Sequence, residues 1–451
     1  MEPSAAPCFV RPTRYLETMT FVDADEAAEH IKGICLKTGP PTRVGVELEW
    51  LVRDVHDPAL PVSAERLAAA VAPVMPAPAM SGAPGQGRVR AGLPTSARPG
   101  VLPSGAPLTT EPGGQLEISS LPADSLTDLV RATRADLAAL REAVAAAGLE
   151  LAGYGLDPMR PPRRILDLPR YAAMEAFFDA GGPWGRTMMC TTASVQVCLD
   201  AGDESDGPSG YRRRWRLLHA VGPVLVAAFA NSPLREGRRV GWQSARQQVW
   251  THMDPGRTRP PDVDGELRGA WSSYALNARL MCIRNPDSAD WSAPPELTLR
   301  DWIQGDWVRA GLGDGERLRR PTVGDLEYHL STLFPPVRPR GHFELRMIDA
   351  QPGDGWVVPL AVATALLSDA TAGEAALAAT AALGTGAWRR AARLGPADSL
   401  LAKASRECFA AARAAMDRMG VPPDITGAVD DFTERYVHRG RCPADDLLEE
   451  A

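Results

Sequence analysis

Lysine is nearly absent from this chain: it occurs only at Lys32, Lys37 and Lys403, while arginine is abundant. That imbalance looks like a codon-composition bias and points to no particular function. Histidine and cysteine are sparse as well, at seven each. The histidines show no His-x-x-x-His or similar spacing, which argues against a zinc-type site. Cys8, Cys35, Cys190, Cys198, Cys282, Cys408 and Cys442 form an odd, scattered set, read most simply as free thiols buried as small hydrophobes. No apolar run reaches bilayer length, and the first residues lack the charged-then-apolar pattern of a signal peptide. A net charge of -7 over 451 residues leaves no electrostatic footprint for nucleic acid or an anionic membrane surface. The expectation is a cytoplasmic protein, a monomer or weak dimer, with small molecules as partners. A phosphate-cradling glycine loop is missing too, because Gly85-Gln86-Gly87 neither follows a strand nor opens a helix.

What is present is carboxylate in pairs. Arg43 to Trp50 alternates as a β-strand does, with Val46, Leu48 and Trp50 on one face and Glu47 and Glu49 on the other. Two strand rises separate those carboxylates by about 6.7 Å. At an effective dielectric near 20 their repulsion is about 2.5 kcal/mol. A solvated edge tolerates that, whereas a concave interior needs cations. Thr109 to Ser119 turns at Pro112-Gly113-Gly114 and brings Glu111 and Glu117 together. His342 to Asp349 puts Glu344 and Arg346 on one strand face. Converging carboxylates of this kind suit Mg²⁺ or Mn²⁺ and, through them, a nucleotide. A wet charged face on ordinary amphipathic strands stays open as the alternative.

Between these strands the chain reads as mixed α and β. Residues 1–23 are expected as a flexible N-terminal arm and 24–451 as a single catalytic domain. Asp23 to Lys37 has helix start and stop chemistry, ending at Gly39-Pro40-Pro41. Residues 73–107 lack periodicity and read as a flexible insertion. Ser125 and Asp128 open a long helix in the manner of a capping box. Residues 187–200 alternate, with Thr192, Ser194 and Gln196 on a polar face, and a helical run spans about Tyr211 to Asn231. The part from 359 to 451 is mostly helical and rich in alanine.

Several segments together resemble the glutamate–cysteine ligases of the plant and bacterial type. They are Val44-Gly45-Val46-Glu47-Leu48-Glu49-Trp50, Thr110 to Ser119, Ala193-Ser194-Val195-Gln196-Val197, Ala230-Asn231-Ser232-Pro233, Ser244 to Trp250, and Phe343-Glu344-Leu345-Arg346. The form most similar is the bacterial one that supplies γ-glutamylcysteine to ergothioneine synthesis. The resemblance implies an α+β, glutamine-synthetase-like carboxylate–amine ligase fold, with a curved antiparallel sheet forming a funnel and helices packed outside. It implies ATP as co-substrate and Mg²⁺ or Mn²⁺ held by Glu47, Glu49, Glu111, Glu117, Gln196 and Glu344. Arg246, Trp250, Tyr274 and Met189 match positions that hold glutamate, Met189 through its backbone. Arg257 and Arg346 match phosphate contacts, with Arg346 and Glu344 as catalytic residues. Thr191 departs from the pattern, since plant-type enzymes have arginine there, so another basic residue must substitute.

The implied reaction activates the γ-carboxylate of glutamate as an acyl phosphate, which the amine of cysteine attacks. No protein nucleophile is needed, in keeping with the absence of a Ser/His/Asp or Cys/His signature. Two rivals stay open: a ligase of the same fold with another amine acceptor, and a hydrolase using paired carboxylates without nucleotide.

Overall fold

The alternation of residues 43–50 becomes the central strand of the sheet. β1 (Val44–Asp54) runs on past Trp50 and buries Val46, Leu48 and Trp50 on one face. Residues 19–21, 23–75, 102–306 and 318–451 are described by the computed structural model. Beside β1 lie β2 (Leu108–Thr110), β3 (Leu116–Ser119), β4 (Leu149–Ala152) and β5 (Ser194–Leu199). A small hairpin follows, β6 (Leu234–Arg235) with β7 (Arg238–Arg239), and then β8 (Val337–Pro339) and β9 (Phe343–Asp349). The main sheet has the order β2-β3-β1-β5-β9-β8, with β4 pairing the end of β1. Every pairing in it is antiparallel.

Helices cover one face of this sheet. Leu126–Ala146 packs on β1, Tyr211–Ala228 on β9, and Val357–Ser368 on β5. The first of these starts at Ser125, whose hydroxyl accepts the Asp128 N–H at 3.0 Å. The last is buried from Val357 to Leu367, so it needs no polar stripe and has none. This is the expected α+β architecture, an antiparallel sheet not closed into a barrel, with helices outside. Among the described residues no single helix is long and apolar enough to cross a membrane.

One irregularity matters for the other face. Val195 pairs with Ile348, but Val197 pairs with Leu345, so the β5–β9 register slips by one residue. Arg346 and Met347 together face Gln196, which makes a β-bulge on β9. Strand side chains alternate with period two. Without the bulge, regular alternation of the same residues would point Asp349 away from Glu344 and Arg346. With it, Glu344, Arg346 and Asp349 share the face of Ser194 and Gln196.

Three expectations change. Residues 187–200 are not one strand: Trp184–Thr191 is helical and only Ser194–Leu199 is extended. Thr191 and Thr192 donate their hydroxyls to the carbonyls of Thr187 and Met188, four residues back, at 2.5 and 2.6 Å. Those bonds fit threonine into a helical turn that its strand preference conceals. The helical run from Tyr211 ends at Ala228, short of Asn231. The flexible insertion over 73–107 overlaps packed chain at both ends, because Val74, Leu102 and Ala106 are buried in the core. Residues 76–101 lie outside the described residues, as do 1–18 of the N-terminal arm. The end of that arm is tied down: Thr20 bridges to Thr322, Phe21 is buried, and Asp23 caps helix Ala24–Cys35.

Asp136 fastens the returning segment. It is 1% exposed and accepts the Ser104 N–H at 2.8 Å as well as the Ser104 hydroxyl. Removing a buried acceptor leaves its donors unsatisfied at about 1–3 kcal/mol. Asp136→Ala should therefore lower stability by about that amount in thermal or denaturant melts. An unchanged melting curve would mean that residues 102–107 are not anchored there.

Candidate active site

The free face of the sheet is organised by strand register. Glu49 on β1 lies opposite Glu117 on β3, and Glu47 lies opposite Gln196 on β5. Glu111 joins them from the β2–β3 turn, which closes through Glu111 N–H to the Gln115 carbonyl at 2.8 Å. The turn needs its glycines. Gly114 has φ +92, and a Cβ on Gly113 would come within 2.1 Å of the Cys190 carbonyl oxygen. Glu49 accepts from Ser194 Oγ at 2.8 Å and from Gln196 Nε2 at 2.9 Å. Glu117 accepts from Thr109 Oγ1 and Ser119 Oγ, both at 3.2 Å.

Crowding these carboxylates raises their proton affinity. Burial, then the charge of Glu344, pushes Glu47 from 4.5 up to about 6. Burial, then Glu49, pushes Glu111 up to about 7. Glu117 is held well above the usual carboxylate range by burial and by Glu47, Glu111 and Glu49. An all-oxygen donor set that resists its own ionisation is complementary to a hard divalent cation. Among the described residues no three His, Cys, Asp or Glu side chains stand close enough to enclose a metal ion by themselves.

Arginines face the carboxylates. Arg338 clasps Glu344 with two bonds, Nε to Oε2 at 3.0 Å and Nη2 to Oε1 at 2.9 Å. Arg346 donates to Glu344 as well and to Gln196 Oε1 at 2.5 Å. Burial alone would raise the Glu344 pKa, but Arg338, Arg346 and Arg340 outweigh it and hold the carboxylate well below its usual range. Arg246 is only 2% exposed and gives Nη2 to the Arg346 carbonyl at 2.8 Å. Its Nε and Nη1 have no hydrogen-bond partner in the protein. Beneath it Asp349 accepts from Asn231 N–H, Ser232 Oγ and Ser244 Oγ at 2.9, 2.7 and 2.9 Å. Asp349 Oδ1 lies 3.9 Å from Arg246 Nη1.

Most of the residues singled out in the sequence meet in one cleft. Glu47, Glu49, Glu111, Glu117, Gln196, Met189, Arg246, Trp250 and Arg346 all line it. Glu344 does not: it has no exposed surface, and its oxygens are taken by Arg338 and Arg346. Tyr274 is also outside, stacked on Trp271 with ring centroids 5.4 Å apart. Arg257 is fully buried away from the cleft, bonded to Thr332, Asp254 and the Arg279 carbonyl. Those bonds occupy the fork that a phosphate would need. The Met189 carbonyl is engaged by Gln115 Nε2 at 3.2 Å. Thr191 is buried and bonded to its own helix, and it does not line the cleft.

The sequence reading missed Arg170, Arg338 and Arg340, which line the same cleft. Arg338 and Arg340 stand two residues apart just before β9, a strand-like spacing hidden by Pro339 between them. Arg170 had no signal, because it lies on helix Pro169–Asp179, apart from the strands and turn that carry the carboxylates.

The raised proton affinities have a consequence for ligand-free protein. Between about pH 4.5 and 7 the folded state binds more protons at Glu47 and Glu111 than the unfolded chain does. Their contribution to stability therefore falls as pH rises through that window. Buried His219, His329 and His342, pulled down to about 4, 3 and 4, act in the opposite sense. A comparison with a variant isolates the carboxylate. The melting temperature of Glu111→Gln relative to the parent should climb from about pH 5 to about pH 7.5. A difference that does not vary with pH would remove the repulsion from the account.

Comparison with known proteins shows the family. The model of "Glutamate-cysteine ligase family 2 (GCS2)" matches residues 43–450. The chain is 39% identical over 436 residues to "Glutamate--cysteine ligase EgtA" of Mycobacterium tuberculosis, covering 96% of this chain and 91% of that protein. The Mycolicibacterium smegmatis protein of the same name is 39% identical over 434 residues, covering 95% and 91%. A solved glutamate–cysteine ligase from Francisella tularensis, in complex with AMP, superposes with TM-score 0.52 at 11% identity. It covers 92% of this chain and 86% of its own, a likeness of fold. This chain belongs to glutamate–cysteine ligase family 2 and is an ATP-dependent ligase.

Proposed function

We propose that the protein joins the γ-carboxylate of L-glutamate to the amine of L-cysteine, consuming ATP and giving γ-glutamylcysteine, ADP and phosphate. The observation that carries this reading is Arg246, a buried guanidinium with two nitrogens, Nε and Nη1, that have no hydrogen-bond partner, in a cleft whose other wall is carboxylate. An anion with planar geometry is the natural complement to those donors. Resemblance to the ergothioneine-pathway form, with likeness to the mycobacterial EgtA enzymes, supports that pathway for the product. The reading keeps the partners to small molecules and residues 24–451 as one catalytic unit. It places a monomer or weak dimer in the cytoplasm.

In the first step a γ-carboxylate oxygen of glutamate attacks the terminal phosphorus of ATP, and the bond to the β-phosphate oxygen breaks. ADP leaves and a γ-glutamyl phosphate remains. The neutral amine of cysteine then attacks the acyl carbon, the carbon–oxygen bond to phosphate breaks, and the amine proton passes to solvent. Arg246 and Trp250 hold glutamate, and Arg170 supplies the positive charge that Thr191 lacks. Arg338, Arg340 and Arg346 offset phosphate charge, with Glu344 fixing the forks of Arg338 and Arg346. Glu47, Glu49, Glu111 and Glu117 are the residues that would supply carboxylate oxygens to Mg²⁺ or Mn²⁺, one or two to each ion, with water and phosphate oxygens beside them. The cation would neutralise charge on the transferring phosphoryl group. Tyr274 and Arg257 are left with supporting roles behind the cleft.

Phosphate release from ATP, measured with glutamate and a panel of amines, tests the reading. Cysteine should give the highest kcat/KM, and release should stop on chelation and return with Mg²⁺ or Mn²⁺. Another preferred amine would make this a ligase of the same fold with a different acceptor. Turnover without nucleotide would favour a hydrolase. Arg246→Lys keeps charge but loses the fork, so KM for glutamate should rise about tenfold or more while KM for ATP barely moves. Glu47→Gln and Glu49→Gln should lower kcat by orders of magnitude and leave ligand-free stability level or higher.

A further inference from the structure

The cleft has a third wall that neither carboxylates nor arginines explain. Tyr171 and Met174 come from helix Pro169–Asp179, and Met188 and Met189 from helix Trp184–Thr191. They belong to a hydrophobic cluster separate from the main core, yet all four also line the cleft. A cluster that served packing alone would have no reason to present three thioethers to a polar site.

Position narrows its occupant. Trp250 and Phe334 border the same cluster, with ring centroids 5.7 Å apart. Arg246 Cζ lies 5.9 Å from the Trp250 ring, and Arg346 Cζ lies 5.8 Å from the Phe334 ring. Gln115 ties the Met189 carbonyl to the turn that carries Glu111. The wall therefore adjoins the arginine assigned to glutamate, and the attacking amine must arrive beside the bound γ-carboxyl.

Its chemistry narrows it further. Methionine is polarizable and adapts to small apolar groups, and a cysteine thiol behaves as a small hydrophobe with a weak donor. A hydroxyl buried there would need a partner. Of the nearby hydroxyls, Thr192 Oγ1 donates to the Met188 carbonyl and Ser331 Oγ to the Tyr328 carbonyl, each at 2.6 Å, so neither has a proton to offer a substrate hydroxyl.

We propose that Met174, Met188 and Met189 form the subsite that receives the side chain of the amine acceptor and selects a thiol over a hydroxyl. This rests on the reading of cysteine as acceptor. The test measures KM for cysteine, glutamate and ATP separately by phosphate release, with serine and 2-aminobutyrate as rival acceptors. In the unmodified protein 2-aminobutyrate should approach cysteine, while serine should fall behind by about tenfold to a hundredfold in kcat/KM. Met174→Gln and Met188→Gln should raise KM for cysteine about tenfold and narrow its lead over serine, leaving glutamate and ATP within about twofold. Met174→Leu and Met188→Leu conserve volume and guard against misfolding. They should keep 2-aminobutyrate as a substrate and serine as a poor one. A rise in KM for ATP alone would give the wall to the adenine base and overturn the proposal. So would equal use of serine and cysteine by the unmodified protein. Preference for an unrelated amine would instead overturn the reading of cysteine as acceptor, on which the subsite depends.

Discussion

Glu344 is a carboxylate with no exposed surface, clasped from two sides by Arg338 and Arg346. The rest of the cleft is arranged around this neutralised knot. A lone charge at that depth would be prohibitive, and only hydrogen-bonded pairing of good geometry offsets the loss of water. Here the pairing also restrains two guanidinium groups. Arg346 is fixed further by Gln196, and Gln196 by Glu49, so one chain of bonds runs from β9 through β5 to β1. On the β9 side the site is rigid and cationic. On the β1 and β3 side Glu47 and Glu117 lack such a clasp, and their raised proton affinity records it. The asymmetry is suited to a ligand that brings both signs, anionic phosphate and divalent cation.

Asp349 lies under Arg246 without clasping it, at 3.9 Å from Nη1. It gathers Asn231, Ser232 and Ser244, three residues distant from it in sequence, and leaves the guanidinium with donors to spare. Gly155 makes the approach possible, since a Cβ there would lie 2.3 Å from the Asp349 carboxyl carbon. The segments Ala230 to Pro233 and Ser244 to Trp250 look like separate motifs in the sequence. In the fold they are walls of one buried polar chamber.

How far the sequence could be read depended on range. Alternation at Glu47 and Glu49 is local, and it gave the strand and its carboxylate face directly. The turn at Pro112-Gly113-Gly114 likewise announced Glu111 and Glu117. What failed was information held by distant partners. Arg257 has a sequence position suggestive of phosphate, but Thr332 and the Arg279 carbonyl consume its donors. Tyr274 is the exception, since Trp271, the ring it stacks on, lies only three residues back on helix Leu267–Asn277. Arg170, Arg338 and Arg340 reach the cleft through tertiary packing that spacing does not encode. The helix at Trp184–Thr191 was concealed because threonine hydroxyls made local bonds that propensity does not count.

The bulge on β9 ties these themes together through phase. Up to Arg346 the strand keeps time with β5, and beyond it the beat is displaced by one residue. Glu344 and Arg346 are held on one side of that slip and Asp349 on the other. The same residues paired without the slip would alternate regularly and make a more ideal ribbon. The carboxylate now under Arg246 would then be carried round to the helix-packed side, with Leu345 and Met347. A smoother sheet would hold a worse receptor, because the arginine that awaits its anion is aimed by an imperfection in the pairing.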